Sequence, residues 1–291
     1  MKFGFINFRL FRTLVPLGII LAVAAVVRLV FLDRVPGAIG GDELTYILTA
    51  KFMGLTGSDI LGNWNPLSIF LFNYPSGFPQ AELPYFLLYP AVNFFGGTLA
   101  AIRATYVIFS AGTVVLIYLL SRQILGAKVG LIAAYLAAIN PWQIFIGRTT
   151  YEVVLSTFFY LAATLVLLRA KGRGIFLSIP LFLLAFYSYI GMKVALVPIV
   201  VIVSIYAYFL NHKKFAKEYI ILNIAALVFV LFFLVSVSHG EQTRVGELFT
   251  PRLPEIANQV NDLRKNSVSE MPITNLLDNK FTIYLQILFS K

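Results

Sequence analysis

The sequence predicts an all-α polytopic membrane protein, and three observations predict it. Hydrophobic residues make up 59% of the 291 and charged residues only 12%, more apolar surface than a soluble domain of this size can bury. The apolar residues come in runs near the length of about 20 that carries a helix across a bilayer. The 23 lysines and arginines fall in short clusters between those runs. In hydrocarbon every backbone N–H and C=O must be satisfied within its own segment, which a helix achieves and an open strand does not.

The first run, 13–32, follows Lys2, Arg9 and Arg12. It is too long for a signal core and lacks a clean small-residue cleavage site, so it reads as an uncleaved span. A long aromatic loop, 33–99, comes next. Within it 44–55 reads as an amphipathic surface helix opened by Asp42. The stretch 83–95, broken by Pro84 and Pro90 and stopped by Gly96-Gly97, is too short to cross and reads as interfacial. Further spans are expected at 100–121, 129–147, 151–168, 175–190, 194–210 and 219–237. Residues 1–237 thus form one transmembrane module. A polar stretch, 238–280, reads as a lid or loop, and 281–291 opens another apolar segment in which the chain looks truncated.

Charge sets the orientation. Lys2, Arg9 and Arg12; Arg122 and Lys128; Arg169, Lys171 and Arg173; and Lys213, Lys214 and Lys217 fall on one side if 83–95 does not cross. That side is cytoplasmic by the positive-inside rule, with the N-terminus on it. Asp42, Glu43, Asp59, Glu82 and Glu152 then face outward, beside Tyr46, Trp64, Phe70, Phe72, Tyr74, Phe78, Tyr85 and Tyr89, whose density suits the headgroup level. A formal charge of +10 in short clusters between spans gives no reason to expect a nucleic-acid partner. The absence of cysteine excludes disulfides, zinc thiolates and thiol catalysis. The two histidines, His212 and His239, have no metal-ligand spacing.

With only 13 acidic residues in the chain, the adjacent pair Asp42-Glu43 beside a span is the first candidate site. Such a pair can take a proton from a hydroxyl or hold a metal ion; equally, Asp42 can cap a helix with Glu43 in its first turn. Glu152 is the second candidate, at the start of a span and four residues after Arg148, a spacing that puts both on one helical face and also fits a structural ion pair. Lys193, in a turn between spans, and Arg103, near the outer end of another, either snorkel or neutralise a phosphate delivered from the membrane. Arg28, inside the first span, reads as structural.

These pieces, in order, resemble the GT-C membrane glycosyltransferases of family 39, the dolichyl-phosphate-mannose protein mannosyltransferase group and its bacterial and archaeal relatives. The resemblance runs over 33–198. It rests on Asp42-Glu43, on Gly57-Ser58-Asp59 with Asn65-Pro66-Leu67, and on Pro84-Tyr85 through Pro90 to Phe95-Gly96. Arg103, Asn140-Pro141-Trp142, Arg148 with Glu152, and Tyr187-Ser188-Tyr189 before Lys193 complete it. It implies a GT-C-like helical bundle with interfacial helices in the first outer loop. It also implies inverting transfer of a mannose-like sugar from a polyprenyl-phosphate donor to an acceptor hydroxyl on a protein, lipid or glycan at the extracytoplasmic face of the cell membrane.

Asp42 is then the expected base, with Glu43 and Glu152 as catalytic partners and Glu152 shaping the acceptor side. Lys193, Arg103 and Arg148 are expected at the donor phosphate, and Tyr46 and Tyr189 at the acceptor or sugar. No cofactor is required, and a divalent metal is not excluded. Two departures matter: Lys193 stands where similar sequences often have arginine, and Glu152 where many have aspartate. The competing reading is a transporter or flippase using the same acids as a proton or cation site. It fits less well, because the acids sit at the boundary and no span is split into paired half-helices.

Overall fold

The computed structural model describes residues 8–58, 81–211 and 214–238, and every regular element among them is helical. The expected lid over 238–280, the segment 281–291, and the Asn65-Pro66-Leu67 motif with its neighbouring aromatics lie outside the described residues, Ser238 at the end of the last helix apart. The helices are α1 (Phe8–Leu29), α2 (Gly41–Thr56), α3 (Leu83–Asn93), α4 (Leu99–Leu125), α5 (Ala127–Ile139), α6 (Pro141–Gly147), α7 (Val153–Arg169), α8 (Ser178–Ser188), α9 (Leu196–Leu210) and α10 (Ala216–Ser238). α4 and α10 are each long and apolar enough to cross a bilayer, and α5 with α6 would do so as one broken span. Along α1, α9 and α10 most exposed side chains are themselves aliphatic or aromatic, among them Ile19, Val26, Ile202, Phe209, Ile224 and Val228. That surface fits lipid and not water.

Long-range hydrogen bonds give the direction of each helix. Arg103 near the start of α4 reaches the carbonyl of Leu32, and Arg28 at the end of α1 reaches that of Ala138 at the end of α5. At the other end Gln123 of α4 donates to the carbonyl of Leu168 of α7. The long helices therefore alternate. The turns 30–40, 140–152 and 189–195, together with α2 and α3, share one end, and 122–128, 169–177 and 214–215, which carry basic residues, share the other. α3 is 11 residues long, about 16 Å at 1.5 Å per residue, and cannot cross a hydrocarbon core of about 30 Å. The interfacial reading of 83–95 therefore agrees with the fold.

The expected span 129–147 is two helices, bent by 59° at Asn140. Proline disfavours helical backbone in the residue before it, so Asn140 leaves the helix at ψ 118° and its side chain caps α6, accepting from the N–H of Gln143 at 3.1 Å. Pro141 cannot donate to the carbonyl of Ala137, which stays without a helical partner. Arg28 supplies donors there, to Ala138 at 3.0 Å and Ala137 at 3.4 Å, while its Nε donates to Ser110 at 2.8 Å. The buried Arg28 is thus the mate of the Asn-Pro break. Close helix contact relies on glycine: a Cβ on Gly147 would stand 2.1 Å from the Ser110 hydroxyl, and one on Gly112 2.7 Å from the Phe158 ring. Small residues at such crossings are how helices approach each other in lipid.

The helix α2 begins earlier than the expected 44–55 and is not opened by Asp42. Its N-cap is Gly40, with no side-chain cap, and Asp42 lies in the first turn. It ends at Gly57, which takes φ 70° as N–H bonds to Met53, a left-handed termination that glycine adopts without steric cost. Glu43, Tyr46, Thr49 and Ala50 form its buried face, which packs on α3. Tyr46 and Tyr85 have ring centroids 5.1 Å apart, and Asn93 donates to the carbonyl of Ala50 at 3.0 Å.

Candidate active site

The two carboxylates of the Asp42-Glu43 pair have opposite surroundings. Glu43 is 1% exposed and joined to Arg103 by two parallel bonds, Nε to Oε1 at 2.9 Å and Nη2 to Oε2 at 3.0 Å. Arg103 gives its other donors to the carbonyls of Leu32, Pro36 and Ala38. All five guanidinium N–H groups are therefore committed. Asp42, one residue earlier, points the other way. It is exposed, and its carboxylate makes no hydrogen bond or ion pair within the described residues. It lies in the first turn of a helix, where unsatisfied N–H groups and the dipole favour negative charge.

Arg148 does not share a helix with Glu152. It follows α6 at φ −98°, while Glu152 is the N-cap of α7. Its guanidinium grips the C-terminal end of α1, donating to the carbonyls of Val27, Val30, Phe31 and Val35. Those are carbonyls that a helix end leaves without partners, and a cation is favoured there. Burial and the neighbouring Arg103 push the Arg148 guanidinium below its ordinary value. Arg103 and Arg148 thus hold 27–38 from two sides and fix where α2 starts. Both were expected at the donor phosphate; their donors are engaged with backbone and Glu43 instead.

Glu152 is half-buried and comes to the same corner as α2. Burial pushes the Tyr46 phenol well above its ordinary value, and the charge of Glu152 is the next cause. The Tyr46 hydroxyl accepts from the N–H of Ala81 at 3.3 Å, so this buried ring ties α2 to the start of α3. Tyr151 reinforces the corner, since a Cβ on Gly40 would meet its hydroxyl at 2.8 Å.

Lys193 is fully buried and ion-paired with Glu82, also fully buried. Its ammonium sits over the rings of Phe186 and Phe233, each 5.0 Å away, and of Tyr187 at 5.7 Å. Burial pushes Lys193 down, against the opposing pull of Glu82. Tyr189 is half-buried beside Gly191, in the turn leading to Lys193. Sequence reasoning placed Glu82 with the outward acids but gave it no role, and did not single out Arg34 or Lys51. Among the described residues the last two are the exposed cations at this end. No group of three or more histidine or acidic side chains among the described residues is placed to hold a metal ion.

Residues 82–237 match the family described as dolichyl-phosphate-mannose-protein mannosyltransferase, more than half of the chain. The chain belongs to that family. As a member of the dolichyl-phosphate-mannose-protein mannosyltransferase family it is a multi-pass membrane glycosyltransferase. The matched stretch begins at Glu82 and holds Arg103, Arg148, Glu152 and Lys193, while Asp42 and Glu43 precede it. Neither a curated protein nor a solved structure matches the chain.

Proposed function

We propose that the protein transfers a mannose-like sugar from a polyprenyl-phosphate donor to an acceptor hydroxyl, with Asp42 as general base. The observation that carries this is the contrast within the acidic pair: Glu43 is locked by Arg103, and Asp42 is held on the same turn with its carboxylate open. The acceptor oxygen attacks the anomeric carbon as the bond from that carbon to the phosphate oxygen breaks. The proton passes to Asp42, and the bonding pair leaves with the polyprenyl phosphate. A single displacement of this kind inverts the anomeric centre.

The leaving phosphate needs positive charge near it, and Lys193 is our assignment, because all five donors of Arg103 and four of the five of Arg148 are committed elsewhere. Glu82 holds that ammonium until a phosphate competes for it. Glu152 and Tyr46 border the acceptor, with Tyr189 on the donor side. The α2–α3 end faces outward and the N-terminus lies in the cytoplasm, since the basic turns gather at the opposite end. The acceptor is a hydroxyl of a protein, lipid or glycan.

The test uses the full chain in liposomes with labelled polyprenyl-phosphate mannose and a hydroxyl acceptor. Asp42→Asn should insert and fold normally yet lose about 10²- to 10⁴-fold in release of free polyprenyl phosphate, the range for a general base. Undiminished release would remove Asp42 as the base, and solute uptake without sugar transfer would favour a transporter.

A further inference from the structure

At the end of the bundle opposite Asp42, a groove of about 530 Å³ runs between α9 and α10, lined by Val201, Ser204, Ile205, Tyr208, Tyr219 and Asn223, among others. Its size falls in the range of about 300–1,000 Å³ typical of small-ligand sites. The lining is mostly apolar, with two polar atoms left over. Ser204 is 3% exposed and its hydroxyl has no partner, and the buried amide oxygen of Asn223 has none either. The Asn223 nitrogen donates to the carbonyl of Tyr219 at 2.7 Å, which fixes the oxygen's direction. Buried polar atoms normally find partners; these two lie closed off from solvent in the wall of the groove.

The mouth of the groove is basic. Lys214 and Lys217 are exposed at the turn into α10. The turn at Gly172 lies against Phe215, a Cβ there standing 3.8 Å from its ring, and so brings the exposed Lys171 and Arg173 to the same end. Glu218 is the single acidic residue among the described residues of these two turns. Basic pockets between membrane helices recognise anionic lipid headgroups. The donor's phosphate does not belong here, because its sugar must meet Asp42 at the other end.

We propose that this groove is a structural site for an anionic phospholipid. One acyl chain lies between α9 and α10, and the phosphate rests against Lys214 and Lys217. The site lies away from the sugar-transfer site, and its assignment to a phospholipid in place of the donor rests on the proposed role of Asp42.

Native mass spectrometry of the detergent-solubilised full chain tests it, after incubation with equal amounts of phosphatidylglycerol and phosphatidylcholine bearing the same acyl chains. The wild type should retain one phosphatidylglycerol in preference to phosphatidylcholine by about fivefold or more, the weight of roughly one lysine near a headgroup. Lys214→Ala with Lys217→Ala should abolish the preference, and the double arginine variant should keep it. Lys128→Ala, at the same end but on α5, should leave it unchanged. Ser204→Phe should reduce retention of both lipids while the folded peak is preserved. Equal retention by the wild type, no retained lipid, or an equal loss in Lys128→Ala would overturn the proposal. So would displacement of the bound lipid by an equimolar polyprenyl phosphate, which would give the groove to the donor's tail.

Discussion

Glu43 and Arg103 form a bidentate pair, at 2.9 and 3.0 Å, with both side chains shut off from solvent. The pair joins the first turn of α2 to α4, and through three further carbonyl bonds it also fixes 32–38. Glu43→Ala would leave a guanidinium buried without its carboxylate, at a cost of about 3–5 kcal/mol. We expect a large fall in melting temperature for Glu43→Ala, and a similar fall for Arg103→Lys, which cannot reproduce the planar fork. Asp42→Asn should melt as wild type. Differential scanning fluorimetry in detergent compares the three, and an unaltered melting temperature in Glu43→Ala would contradict the anchoring role.

Lys193 and Glu82 call for a double substitution. Lys193→Met removes the ammonium facing a buried carboxylate and should destabilise the bundle strongly, because breaking one half of a buried pair costs more than replacing both. Adding Glu82→Gln should recover most of the loss. If Lys193 also serves the donor phosphate, the folded double variant will remain slow in sugar transfer. Wild-type turnover in that variant would make the pair purely structural.

The membrane class, an α3 too short to cross and the shared end of Asp42, Glu43, Glu82 and Glu152 were legible in the sequence, because hydropathy and charge are local properties that lipid reads directly. The break at Asn140-Pro141 was written there too, in a proline and a capping residue, although the run 129–147 looks continuous by apolarity alone. Hydrogen-bond partners were not legible. Arg103 and Arg148 have the composition of phosphate ligands, and only the fold reveals that the carbonyls of 27–38 occupy them. Glu82 and Lys193 are 111 residues apart, a separation across which no pattern in a single chain signals pairing.

Tyr46 offers a pH test. Its phenol is raised by burial and by Glu152 above the ordinary value of 10.0, so the unfolded chain releases this proton first. Stability is unaffected below about pH 10 and falls as pH rises beyond it, because the unfolded state then binds fewer protons than the folded one. Tyr46→Phe should lose about 1 kcal/mol at neutral pH through the orphaned N–H of Ala81, yet decline less steeply than wild type above pH 10. Melting curves between pH 8 and about 11 would reveal it, and parallel declines would show that Tyr46 does not titrate as a buried group.

The last prediction concerns how the α2 start is tied to the α7 start. Gly40 has φ −68° and ψ 155°, open to any residue, so its requirement is for space. An added methyl would lie 2.8 Å from the Tyr151 hydroxyl, closer than carbon and oxygen tolerate. Gly40→Ala must therefore displace the Tyr151 ring, the first turn of α2, which carries Asp42, or the turn holding Glu152. Near-attack geometry is sensitive to shifts of about 1 Å, which can cost on the order of 10²-fold in rate. We expect Gly40→Ala to lower turnover with little change in melting temperature. Tyr151→Phe, which deletes the clashing oxygen, should restore much of the lost rate when combined with it. Equal turnover in wild type and Gly40→Ala would mean that the spacing of Asp42 and Glu152 is not what sets the rate.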